Sequence, residues 1–361
     1  SKAAELAALI GSGQAQGNKN LIINGAMNVA QRGTSATAST GYNTVDRFSF
    51  TVANMDNAAF TYVQSSVAPA GFSNSWRVDC TTAESALAAD EYSTFYQPIE
   101  AQNLQQISNG SSAAKSLTLS FYVKSNKTGT WGLNLYKPDN TGRQITATYT
   151  INSADTWEYK TITFAGDTAG GGIADDNGPG IYVYWALAAG SDFTSSDSTS
   201  WSNYSNAGFL YGHNVNFFDS TANDWAVTGV QLEIGDVATP FEHRSYADEL
   251  IQCQRYYYQT LTGAAYQRHG LGTAINTSSV DMPYRLPQTM RTTPSTTKSG
   301  SMSIEGNTTK SVSAVELSTS GSSADVVRYL ITCATSLTVG YAYYFMNGND
   351  ADAYINFDAE L

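Results

Sequence analysis

An all-β fold is what this sequence predicts: a two-sheet jelly-roll sandwich, a connecting helix and a smaller C-terminal β-sandwich domain, preceded by a short N-terminal anchoring helix. Three observations carry the prediction. Short runs alternate apolar and polar side chains at every step, the period of a half-buried strand. Turn-forming clusters such as Asn126-Lys127-Thr128-Gly129 and Pro138-Asp139-Asn140-Thr141-Gly142 separate the runs. The composition is 12% aromatic but only 14% charged, which suits hydroxyl-covered sheets and argues against a coiled coil or a disordered chain. With 361 residues the chain has room for about two or three domains.

Residues 1–10 read as a short helix, with Ala3, Leu6 and Ile10 at helical spacing and Leu9 beside them. A helix this short is marginal alone in water, so it is expected to contact its own copies or a larger assembly through Leu6, Leu9 and Ile10. The segment Gly11–Gly17 completes a 1–19 helix-and-linker region. It holds Gln16 where a dinucleotide loop needs its third glycine, and no strand precedes it.

Residues 20–244 are expected to form one large β domain. Leu117, Leu119, Phe121 and Val123 alternate with polar partners, as do Trp131, Leu133 and Leu135, then Ile145 to Ile151, then the run 157–164. Ile181, Val183, Trp185 and Leu187 share one face of a strand and Tyr182 and Tyr184 the other. The run 225–234 closes the set with a kink at Gly229. About 200 residues of such runs suit a two-sheet jelly roll.

Residues 245–260 read as a connector helix, capped by Ser245 with Asp248, with Tyr246, Leu250, Cys253 and Tyr257 as its apolar stripe. Residues 261–361 form a second β region. Pro283 within 280–286 points to an edge strand, and alternation from Ala353 to Leu361 places a strand at the C-terminal end.

Charge and motifs exclude several functions. The balance of 19 basic and 31 acidic residues, net −12, disfavours nucleic acid and anionic membranes. No run is long and apolar enough to insert in a membrane. The three cysteines, Cys80, Cys253 and Cys333, are an odd, widely spaced set that suits neither a disulfide framework nor zinc. His213, His243 and His269 share no metal spacing, and no nucleophile elbow or phosphate loop occurs, so no enzyme and no cofactor is expected. Calcium at Asp175-Asp176-Asn177-Gly178 is outweighed by an ordinary solvated turn of the same residues.

The aromatics carry more information. Trp131, Trp157 and Trp185 alternate with polar partners and are expected in the core. Tyr136, Tyr182 and Tyr184 fall on the opposite phase, and Trp201 and Tyr204 in a polar loop. These five are the candidate carbohydrate-binding residues, because sugars stack their apolar faces on such rings. Taken singly, each is better read as half of a cross-strand pair or as a contact with another subunit; taken as a set, they point to a recognition surface.

One pattern is more specific. Asn20-Leu21-Ile22-Ile23-Asn24-Gly25-Ala26-Met27, then Gln31-Arg32-Gly33 and Asp46-Arg47-Phe48, resemble the opening of the jelly-roll module in bacteriophage tail fibres, those of marine, cyanophage-like and T7-like podoviruses especially. Gly229-Val230-Gln231-Leu232-Glu233-Ile234-Gly235 and Ala238-Thr239-Pro240-Phe241-Glu242 are similar to that module's end. Glu249-Leu250 and Cys253-Gln254-Arg255-Tyr256-Tyr257 resemble the helix that follows, and Phe357-Asp358-Ala359-Glu360-Leu361 is similar to the ending of these proteins. The resemblance implies a virion protein: a homotrimeric tail fibre or receptor-binding protein, joined to other tail proteins by its N-terminus and attaching the particle to a host surface glycan. It would assemble in host cytoplasm and leave by lysis. The alternatives are a capsid decoration or head-fibre protein without a receptor and, further off, a polysaccharide depolymerase.

Overall fold

The computed structural model describes residues 19–260, 263–318, 320–333 and 336–361. The helix expected over 1–10, with Leu6, Leu9 and Ile10, lies outside the described residues. The chain divides into two compact units, one reaching Glu249 and including Leu361, the other Leu250–Glu360. The fold is all-β, as expected.

In the first unit, β1 (Ser35–Thr37), β2 (Ser49–Ala53), β3 (Ala59–Ser65), β4 (Ser75–Thr82), β5 (Tyr92–Glu100) and β6 (Leu117–Ser125) come first. They are followed by β7 (Gly129–Lys137), β8 (Arg143–Ile151), β9 (Glu158–Phe164), β10 (Pro179–Ala189), a single helical turn α1 (Ser191–Thr194), β11 (Ser202–Asn203) and β12 (Asp224–Ile234). They make two six-stranded antiparallel sheets, ordered β1-β3-β4-β12-β6-β9 and β11-β8-β7-β10-β5-β2. The chain passes repeatedly between the sheets, so each sheet is assembled from segments distant in sequence.

Alternation explains the core. Ile181, Val183, Trp185 and Leu187 of β10 are wholly buried, while Tyr182 and Tyr184 face out and are only half-buried. Rings from the two sheets meet in the middle: Trp76 stacks on Phe95 at 4.3 Å, and Phe121 meets Trp185 edge-on at 5.7 Å. Burying each such side chain stabilises the fold by about 1.5–3 kcal/mol. Trp157 is not part of this core, contrary to expectation. It precedes the edge strand β9 and is only half-buried, whereas Trp76 and Trp225 are fully buried. Gly229, with φ +63°, marks a bulge where the β12–β6 register shifts between Thr228 and Gln231. A Cβ there would lie 2.6 Å from the Phe72 ring.

The polar residues of the opening and closing motifs meet in one buried clasp. The Asn20 amide donates to Val230 O (3.0 Å), and its oxygen accepts from Ile22 N and Leu232 N (both 3.0 Å). Asn24 donates to Val29 O and Asp46 O, and its oxygen accepts from Asn28 N and Val29 N. Glu233 accepts from Thr239 N and Oγ1 (2.8 and 2.7 Å), and Arg244 donates to Ile22 O and Asn20 O (3.1 and 2.5 Å). The Asn20 and Arg244 bonds join the first described residues to β12 and the segment after it, while the Asn24 and Glu233 bonds brace each side of that junction. Asn20→Ala would strand two backbone N–H groups and one carbonyl. It is expected to cost about 2 kcal/mol in urea denaturation followed by tryptophan fluorescence. All six tryptophans lie in the first unit, so their emission reports on that unit alone.

The connector helix, α2 (Tyr246–Gln254), is shorter than expected. Ser245 caps it: Asp248 N donates to Ser245 Oγ (3.2 Å), and that hydroxyl donates to Asp248 Oδ2 (2.6 Å). Cys253 is buried, but Tyr246 is 60% exposed and so leaves the predicted stripe. Tyr257 lies beyond the helix, in β13 (Tyr257–Gln259), because the backbone there pairs with the C-terminal strand.

The second unit continues with β14 (Arg268–Ala274), β15 (Ser279–Arg285), β16 (Ser295–Ser299), β17 (Met302–Glu305), β18 (Thr309–Leu317), β19 (Val326–Cys333), β20 (Ala342–Asn347) and β21 (Tyr354–Asp358). Its larger sheet, where open sandwich layers were expected, closes into the barrel β14-β15-β19-β18-β17-β20, with β13-β21-β16 as a separate sheet. Among the described residues closure leaves no unpaired edge in the larger sheet, because β20 pairs with both β14 and β17. Val280, Met282, Ile304, Ile331 and Phe345 are wholly buried in this unit's core. β15 is therefore not an edge strand. Pro283 is tolerated because β14 pairs only with Val280 and Asp281, so the proline lies past that ladder. The terminal strand stops at Asp358, three residues short of the last alternating position.

Candidate functional site

The outward face of the second sheet gathers side chains from strands far apart in sequence. The register sets Tyr184 of β10 opposite Tyr96 of β5 on one side and Asn134 of β7 on the other. Tyr182 stands opposite Tyr136 of β7, and Thr94 of β5 opposite Thr51 of the edge strand β2. Over this row lies a cleft of about 420 Å³. Tyr96 and Tyr184 form its floor with ring centres 4.9 Å apart, and Thr51 and Thr94 flank them.

The 190–216 segment between β10 and β12 builds the wall. It places Phe193, Tyr204, Asn206 and Phe209 against the floor, with Phe209 5.0 Å from Tyr184 and Tyr204 4.8 Å from Tyr136. Tyr92 closes the remaining side, 4.6 Å from Phe193.

Hydrogen bonds to the strands beneath fix the wall. Asn134 Nδ2 donates to Phe209 O (2.8 Å), Gln144 Nε2 to Ser205 O (3.1 Å), and Tyr204 N to Gly142 O (2.7 Å). Thr146 N donates to Ser198 O (2.8 Å). At the end of the segment, the buried His213 accepts the Gly132 N–H on Nδ1 (3.0 Å) and lies edge-on to Trp131 at 5.9 Å. Gly132 permits this approach, since a Cβ there would stand 3.0 Å from that of His213.

Behind one end of the wall is a buried charge cluster. Arg143 donates to both Asp167 oxygens, from Nε at 2.7 Å and Nη2 at 2.9 Å, and also to Trp201 O at 3.1 Å. Lys137, with no exposed side-chain surface, donates to Gly170 O and Gly171 O and lies 4.0 Å from Asp167. Burial pushes its ammonium below the ordinary lysine range, against the opposing pull of Asp167. In the cleft, burial and the neighbouring phenols push Tyr184 and Tyr204 above the ordinary tyrosine range, so both remain un-ionised hydrogen-bonding groups.

Of the candidate ring residues, Tyr136, Tyr184 and Tyr204 line the cleft. Tyr182 stands beside it, 5.9 Å from Tyr136 and 5.7 Å from Tyr184. Trp201 does not join them: its ring packs on the core and Nε1 donates to Ala165 O at 2.6 Å. Sequence reasoning missed Tyr92, Thr94 and Tyr96, although their spacing of two is the signal that singled out Tyr182 and Tyr184. Phe193, Asn206 and Phe209 gave no periodic signal, because a non-repetitive segment holds them. At the candidate calcium turn, Asp176 Oδ1 accepts the Gly178 N–H at 2.8 Å, the bond of an ordinary aspartate turn. Among the described residues no group of three His, Cys, Asp or Glu could hold a metal ion, Asp175 included. Nor, among these residues, is any helix long and apolar enough to cross a membrane.

No family model matches the chain, and no curated protein matches it. Among solved structures, the enzymatically active domain of tailspike protein 4 from bacteriophage CBA120 aligns over 60% of this chain, with 12% identity and a TM-score of 0.32. The alignment covers 21% of that protein, so this chain spans about a fifth of its length. The family 11 carbohydrate-binding module from Clostridium thermocellum aligns over 57% of this chain and 98% of its own, with 13% identity and a TM-score of 0.30.

Proposed function

We propose that this chain is a non-catalytic glycan-binding protein and that its ligand lies in the tyrosine-lined cleft of the first unit. The carrying observation is the chemistry of that cleft. Aromatic rings cover the floor and wall, while phenol, threonine and asparagine groups sit among them. A sugar needs that combination, since its ring carbons present an apolar face and its hydroxyls need partners. A volume of about 420 Å³ falls within the size range of small-molecule sites.

The resemblance to phage tail fibres supports the finer reading: a virion protein, homotrimeric and attached to other tail proteins by its N-terminus, that binds a host surface glycan. Several of its opening and closing motif residues, Asn20, Asn24 and Glu233 among them, lie in the buried clasp, so they speak for a shared module. The cleft speaks for the ligand. No cofactor or metal enters this reading.

Tyr204, 39% exposed at the rim, is the cleanest probe. Tyr204→Ala is expected to weaken binding of the purified chain to host cells or isolated surface glycan about tenfold, the loss of one stacking contact. The urea midpoint from tryptophan fluorescence should hardly move. A native chain that binds neither cells nor glycan would remove the reading. Reducing-sugar release from host polysaccharide would replace it with a depolymerase.

A further inference from the structure

We infer that the cleft selects neutral saccharides and rejects both acidic and basic ones; this rests on the glycan-binding reading above. Ten side chains line the cleft, and none is charged: they are tyrosine, phenylalanine, threonine and asparagine. A carboxylate, sulfate or phosphate on a sugar would lose its hydration there without meeting a cation, and a free amine would meet no anion. The chain's net charge of −12 adds a long-range penalty for an acidic glycan.

The basic groups nearest in sequence to the wall's anchor points are already engaged. Arg143 pairs through two nitrogens with Asp167, and Lys137 is held by the carbonyls of Gly170 and Gly171 beside the same carboxylate. Neither can turn toward a bound acid without leaving a buried partner unpaired.

The polar groups that remain are neutral ones. Tyr204 Oη donates to Asn206 Oδ1 at 2.9 Å, which takes one lone pair of the amide oxygen and turns its NH₂ end to donate. Phenols and threonine hydroxyls donate and accept equally well, matching sugar hydroxyls that do the same. An N-acetyl group is neutral and is compatible with this lining.

The test titrates the full chain calorimetrically with neutral glucose-, galactose- and mannose-based oligosaccharides, with oligogalacturonate and with chitosan oligomer. Binding is expected from neutral probes only. The Kd should change less than about twofold between roughly 0.05 and 0.5 M salt, because no ion pair is screened. Tyr204→Ala should raise that Kd about tenfold. Thr51→Arg, on the edge strand, should gain oligogalacturonate binding that salt abolishes. Binding of oligogalacturonate or chitosan oligomer to the native chain, lost in Tyr204→Ala, would overturn the charge inference and leave the glycan reading standing. So would a folded Thr51→Arg variant that still ignores oligogalacturonate. Silence from every probe, or binding indifferent to Tyr204→Ala, would overturn the glycan-binding cleft itself.

Discussion

Asp167→Ala is expected to lower the stability of the first unit by about 3–5 kcal/mol, the cost of removing one partner from a buried ion pair. The Asp167 side chain is 1% exposed, and it faces two cations that are 11% and 0% exposed, Arg143 and Lys137. Without the carboxylate, both would stay buried with only neutral partners. Asp167→Asn keeps the shape and part of the hydrogen bonding, so it should fall between the native chain and alanine. Urea denaturation followed by tryptophan emission measures the difference. Arg143 also donates to Trp201 O (3.1 Å) and Asn203 Oδ1 (3.3 Å), three residues and one residue before Tyr204. Binding at the cleft should therefore weaken in Asp167→Asn even at temperatures where the unit remains folded. Stability within about 0.5 kcal/mol of native would show that the cluster contributes nothing net.

Acid is expected to destabilise the same unit through His213. Burial pushes its imidazole down to about 4 from an ordinary 6.5, although backbone groups at Val215 and Leu187 pull the other way. Above pH 6.5 the ring is neutral whether folded or unfolded. Between about 6.5 and 4 the unfolded chain takes up a proton that the folded chain refuses, so stability falls as the pH falls. The full effect is on the order of 3 kcal/mol. Below about 4 this residue adds no further slope.

The geometry agrees with that direction. Nδ1 accepts the Gly132 N–H, so protonating it would set two N–H groups against each other on a central strand. His213→Gln offers a neutral acceptor in place of the ring, and its stability should change less between pH 7 and pH 5. His269, also pushed down by burial, lies in the second unit and does not enter the tryptophan signal. Equal pH slopes for native chain and variant would assign the acid loss to other groups. Because His213 ends the wall segment, ligand binding by the folded chain should fade only as the pH approaches about 4, where the buried ring takes up its proton.

Much of the fold is legible in the sequence, and for a local reason. Alternation in β6, β7 and β10 states which side chains face inward, because successive residues of an extended chain must point to opposite sides. The departures occur where that local rule stops. Trp157 alternates correctly but lies at an edge, with little of the opposite layer to cover it. Tyr257 continues a helical spacing, yet the backbone there is drawn into a ladder with β21. The barrel of the second unit depends on β20 pairing with both β14 and β17, a relation invisible in any one run.

The candidate site divides the same way. Tyr136, Tyr182 and Tyr184 can be read as outward-facing from their phase alone, and so can Tyr92 and Tyr96. Which of them meet is decided by strand order and register, which depend on hydrogen bonds between segments up to a hundred or so residues apart. The wall depends further on Asn134, Gln144 and Gly132, which hold a segment with no periodicity of its own. The sequence by itself determined the two-faced strands, the acidic hydroxyl-rich surface and the supply of tyrosines. Tertiary structure alone decided that some of those tyrosines enclose an uncharged cleft, because a side chain's direction is set within its own strand but its neighbours are set across the sheet.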